Sequence, residues 1–192
     1  MSLARTGSRA WGRFALFAEC LLTGVWITLA ALPLVTYPAA LAAGTRHLRR
    51  HLAHDQGGWR EFTADFKAAV RGGWLVGVAG WAAVAVVWTD LRAVRAGLPG
   101  GPLVGAVGVL ALIGAAAALL RAAALWRPGD SWQPLMARAG RHTVRDPAGS
   151  FLLIGGLAVV VCSAWFSTPL AVPVLGAVAA AAVAVAERHR HR

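Results

Sequence analysis

Residues 14–50 read FALFAECLLTGVWITLAALPLVTYPAALAAGTRHLRR, and this stretch decides the fold. Phe14 to Val35 is an apolar run preceded by Arg5, Arg9 and Arg13. At 1.5 Å per residue it is long enough to cross a hydrocarbon core of about 30 Å. Pro33 and Pro38 then break it. Thr36 or Tyr37 can cap a new helix with Pro38 in its first turn, where a missing N–H leaves no helical bond unmade. That helix starts apolar, at Ala39 to Ala43, and ends basic, at Arg46, Arg49 and Arg50. The pattern predicts a short helix, 38–54, that begins at membrane depth and leaves it. A cleaved secretory signal is the competing reading of the first run, which is longer than an h-region of roughly 7–15 residues.

The rest of the chain repeats the apolar theme. Of 192 residues, 58% are hydrophobic and 14% charged, against about 25% charged in soluble domains. An ordinary soluble globule and a disordered chain are both excluded on that ground. Further spans are predicted over 72–89, 102–125, 150–166 and 169–186, the last two joined by a tight turn at Ser167 and Thr168. Between the first two spans, Trp59, Phe62, Phe66 and Val70 recur at helical spacing. Arg60, Glu61, Asp65 and Lys67 fall elsewhere on the wheel, so 59–71 reads as an interfacial helix. The expected fold is all-α: one membrane domain, 1–192, forming a polytopic helix bundle. It has four to five transmembrane helices plus a Pro-broken N-terminal element, re-entrant or interfacial.

Charge gives orientation. The net charge is +11, and the basic residues lie between apolar runs instead of forming a polar domain. That pattern argues against nucleic-acid binding and for cytoplasmic loops facing anionic lipid. Lys plus Arg number three before the first run, six in 35–72, two in 89–101, five in 121–149 and three in the tail. If residues 14–44 enter and return, 17 fall inside and 2 outside. If the first run crosses once from an outside N-terminus, the split is 14 to 5. The first arrangement suits the positive-inside rule better. Its 31 residues are too few for two full crossings, which need about 40. A helix followed by a re-entrant half-helix fits, provided protein covers the irregular backbone. Either arrangement makes the C-terminus cytoplasmic in a multi-pass plasma-membrane protein.

The stretch LLTGVWITLAALPLVTYPAALAAG followed by WREFTADFKAAVRGG resembles the start of the YesL-like family of bacterial membrane proteins. Leu32, Pro33, Thr36, Pro38 and Ala39 supply that family's Leu-Pro-x-x-Thr-x-x-Pro-Ala-type break, one residue shorter between Thr and Pro. Phe62, Phe66 and Lys67 supply its Phe-rich helix. QPLMARAGRHTVRDPAGSFLL looks like the family's later cytoplasmic loop. Where many members carry Asn before the first Trp, this chain has Thr23 and Gly24. The resemblance implies a membrane fold and a setting beside carbohydrate uptake, with a sugar-transporter component as partner. It implies no catalytic residue.

Glu19 is the one acid well inside an apolar run, and an intramembrane carboxylate marks a functional site by default. Arg13, Arg121 or Thr23 are its candidate partners; the spans offer no second acid or His for a proton relay. His47, His51 and His54 share a helix face, but Arg46, Arg49 and Arg50 around them would repel a dication, so no metal is assigned. Trp74, Trp81 and Trp88 recur every seven residues, as packing and interface anchors or as a sugar platform. Gly73 with Gly77, and Gly101 with Gly105, permit close helix approach, read as intrachain packing. Cys20 and Cys162 read as small hydrophobes. No catalytic set and no cofactor motif is present in the sequence. The expected role is a non-enzymatic accessory or scaffold protein. The alternative is a small permease whose site, at the broken first helix, combines Glu19 with Pro33, Thr36 and Pro38.

Overall fold

The computed structural model describes residues 18–53, 55, 57–97, 100–166 and 168–188. Seven helices account for most of them: α1 (Ala18–Ala30), α2 (Tyr37–Leu52), α3 (Trp59–Arg95), α4 (Gly101–Leu125), α5 (Trp132–Arg145), α6 (Pro147–Phe166) and α7 (Thr168–Arg188). No strand occurs among the described residues. The all-α bundle is therefore present, and α3, α4 and α6 are long and apolar enough to cross a membrane. Their outward side chains form an apolar surface: Trp74, Leu75 and Val86 on α3, Leu103 and Leu110 on α4, Phe151 and Trp165 on α6. Water would not tolerate so large a patch, whereas lipid is its natural solvent. The chain is a membrane protein.

The N-terminal element departs most from simple spans. The helix predicted over 14–35 ends at Ala30, because Pro33 cannot continue it and Leu34 adopts φ 58°. Thr36 occupies the N-cap position of α2, yet its hydroxyl donates back to the Ala30 carbonyl at 2.7 Å and makes no cap bond. The turn is thus closed from within. α2 then returns antiparallel to α1, so the two helices form a hairpin.

The second helix of the hairpin is inside the bundle, while α1 and the turn leave Leu22, Val25, Leu29, Leu32 and Leu34 exposed. Pro38 through Thr45, His47 and Leu48 are all buried, packed among α3, α4 and α7. The short helix therefore does not simply leave the membrane at a surface; it forms the centre of the packing. Alanine and glycine make this possible. A Cβ on Gly77 would lie 2.0 Å from the Val35 carbonyl oxygen, so only glycine admits the hairpin turn against α3. Trp81 clamps the same turn, its indole N–H donating to the Leu34 carbonyl at 2.8 Å. On the opposite flank, Gly24 of α1 and Gly176 of α7 meet backbone to backbone, against the Val172 and Cys20 carbonyls.

These contacts fix the position of the turn along α3. It meets α3 at residues 77–81, about 9–15 Å beyond Arg71 at 1.5 Å per residue. Asp90 lies about 14–20 Å away on the other side. The turn therefore stands about halfway along the apolar part of α3.

Two other expectations change. Residues 59–71 and 72–89 are one continuous helix of 37 residues, because no Pro or Gly pair with left-handed backbone interrupts them. Residues 121–149 are not only a loop: α5 lies there, held by Trp132, whose N–H donates to the Ala69 carbonyl at 3.0 Å and whose ring fills the space left by Gly72 and Gly73. Gly73, Gly77, Gly101 and Gly105 all serve contacts within the chain, as expected.

Candidate functional site

Polar side chains concentrate at one end of the bundle. There the C-terminal half of α2 meets the start of α3, the end of α4 and the end of α7, and the end of α4 meets the start of α6. Arg46 and Arg50 both reach the Asp65 carboxylate, at 3.1 and 2.6 Å. Asp65 is buried with 6% of its side chain exposed, so it does not belong to the solvated wheel face where its charge would put it. Its two arginines compensate its desolvation. Thr45 donates to the Ala123 carbonyl at 2.9 Å, and Arg49 donates to the Ala124 carbonyl. These bonds satisfy the last carbonyls of α4, which have no partner in their own helix. Arg121, 5% exposed, bridges Asp146 at 2.9 Å and Ser150 at 3.2 Å. Gly149 leaves room for that bridge, since a Cβ there would stand 2.1 Å from the Asp146 carboxylate.

Glu19 belongs to this end as well. Its carboxylate lies 2.5 Å from His47 Nε2, joining α1 to α2 across 28 residues. The partner is therefore neither Arg121, which holds Asp146, nor the Thr23 side chain, which donates to the Glu19 backbone carbonyl at 2.8 Å. Arg13 lies outside the described residues. The His comes from α2, outside the predicted spans, because the hairpin folds back. Trp26 covers the imidazole at 4.8 Å between ring centroids and in turn packs on Trp59 and Phe62. His47 is enclosed, and its Nδ1 has no hydrogen-bond partner.

The four candidate residues do not form one site. Glu19 stands at the open end of the hairpin, while exposed Pro33, Thr36 and buried Pro38 stand at its turn. The helix from Glu19 to Ala30 separates them by about 16 Å. His51 is exposed and His54 lies outside the described residues, so the predicted histidine face resolves into one interior and one surface group. Among the described residues no three His, Cys, Asp or Glu converge as metal ligands. Trp74 and Trp88 are exposed, and Arg92 lies 5.2 Å over the Trp88 ring.

Two clefts flank these elements. One, about 440 Å³ and almost wholly apolar, opens between α3 and α4 with Tyr37 at its back. The other, about 570 Å³, lies at the polar end between α2 and α7, lined by Arg46, Arg49, Arg50, Asp55 and Glu187.

No protein-family model, curated protein or solved structure matches the chain. Fold and site define its class: an all-helical membrane bundle with a helical hairpin whose second helix is buried among the other helices.

Proposed function

We propose that the protein is a multi-pass plasma-membrane accessory or scaffold protein of the YesL-like kind. It performs no catalysis and serves a carbohydrate-uptake system, with a sugar-transporter component as its partner. The observation that carries the reading is the destination of the buried polar groups. Asp65, Arg121, Thr45 and Trp132 all tie helix to helix within the chain. Such a bundle offers its outer surfaces to partners. The permease reading requires Glu19 beside the Pro33–Pro38 break, and the two are held apart.

The basic end faces the cytoplasm in this reading. Arg46, Arg49, Arg50, Arg60, Lys67 and Arg71 stand there with the arginines of α5, while Arg92 and Arg95 mark the opposite end. On α5, Trp132 and Ala139 face the bundle and Arg138, Arg141 and Arg145 are exposed. That row suits the phosphates of anionic lipids in the inner leaflet, each arginine contributing about 1 kcal/mol near such a surface.

Crosslinking in the native membrane, followed by identification of the captured protein, tests the role. A sugar-transporter component among the captured proteins supports it. Measurable sugar flux by the protein alone in proteoliposomes contradicts it. Cysteine labelling at Ser8 and at Ala96, in a background lacking Cys20 and Cys162, tests the orientation: the two positions label from opposite sides.

A further inference from the structure

We propose that Glu19 and His47 bind one proton between them and act as a latch across the open end of the α1–α2 hairpin. The hold of α1 on α2 then depends on pH. The reading is independent of which partner the outer surfaces serve.

Geometry comes first. The 2.5 Å contact is the one side-chain-to-side-chain polar tie between α1 and α2 among the described residues. His47 is 1% exposed, whereas 21% of the Glu19 side chain is open. The carboxylate therefore gives the enclosed imidazole a route to water.

Charge comes second. With the proton bound, the pair is neutral: imidazolium with carboxylate, or imidazole with carboxylic acid. When the proton leaves to water, the pair carries one negative charge. The groups around it do not replace that proton. On α2 itself, Arg46 and Arg50 are both engaged by Asp65 of α3, and Arg49 reaches the end of α4. Arg121 of α4 is held by Asp146. Asp55, before α3, and Glu187, from α7, are themselves acids. No described cation other than His47 lies within ion-pair distance of Glu19. A carboxylate that loses its cationic partner is held less firmly to α2, and at 21% exposure it is already within reach of the water that would solvate it as α1 and α2 separate. α1 keeps its backbone contact with α7 through Gly24 and Gly176, so the latch loosens one flank of α1 and does not release it.

Trp26 provides the reporter, since an imidazolium quenches an adjacent indole. The full chain in lipid nanodiscs is titrated between about pH 5 and pH 8, the window in which histidine changes charge. The Trp26 signal is taken as wild type minus Trp26→Phe. A single fluorescence step is expected, absent in His47→Gln. Across the same step, hydrogen exchange of α1 amides, referenced to α4 amides in the same sample, should quicken about tenfold, equivalent to roughly 1.4 kcal/mol. In Glu19→Gln that pH-dependent change in α1 should vanish, and this arm stands even if His47→Gln fails to fold. A flat wild-type trace, a step that survives in His47→Gln, or α1 protection that ignores pH overturns the proposal.

Discussion

The two helical hairpins, α1–α2 and α6–α7, solve the same problem in opposite ways. Backbone polar groups at membrane depth must be satisfied within the protein. α6 does so as a long apolar helix that leaves Phe151 and Trp165 outward at 74% and 89% exposure, while α7 carries Pro173 within it. The α1–α2 hairpin turns about halfway, with a proline in the turn and non-helical backbone at Leu34 and Val35. Its side chains at Leu32 and Leu34 are exposed, and it survives because its carbonyls find partners within the protein. Gly77 receives the Val35 carbonyl, Trp81 bonds the Leu34 carbonyl, and Thr36 bonds the Ala30 carbonyl. The difference teaches that the stability of α1–α2 resides in specific partners, whereas that of α6 resides in length and hydrophobicity.

That contrast is breakable in order of severity. Asp65→Ala strands Arg46 and Arg50 at the open end of α1–α2 and is expected to cost about 3–5 kcal/mol. Reversible unfolding in detergent measures it, and Phe151→Ala on α6 should change the same quantity by less than about 0.5 kcal/mol. Gly77→Ala pushes a methyl group into the Val35 carbonyl and should cost about 1–3 kcal/mol, while Gly155→Ala, with open space around it, should be close to neutral. Trp81→Phe removes the bond to Leu34 and should cost about 1 kcal/mol. It also sharpens the comparison, because backbone exchange should quicken at 31–36 and not in α6.

Much of this architecture is legible in the sequence, for identifiable reasons. Apolar runs announce α3, α4, α6 and α7 because a helix in lipid needs length and hydrophobicity, which are properties of the run itself. The break at Pro33 and Pro38 is equally local. Hidden is everything that depends on a neighbour. Asp65 sits next to Phe62 and Ala69 on the helical wheel, and periodicity alone cannot tell whether an acid at the edge of an apolar face meets water or two arginines. α5 carries a real signal in Trp132, Met136, Ala139 and Thr143, which share one side of a helix, but the basic residues between them read as a loop. The pairing of Glu19 with His47 was invisible for a different reason. It depends on the hairpin bringing residues 28 apart to the same level. Counting charges suggested that return, and only the folded chain names the partner.

The central claim is that α1–α2 enters, turns about halfway and returns to the side it came from. A spin label at Leu32→Cys, 69% exposed beside the turn, measures that depth in bilayers by its relative accessibility to oxygen and to a water-soluble relaxant. The account predicts a label near the bilayer centre, shielded from the water-soluble agent. A label at Leu32 that the water-soluble agent reaches as readily as one at Ala96 would contradict it.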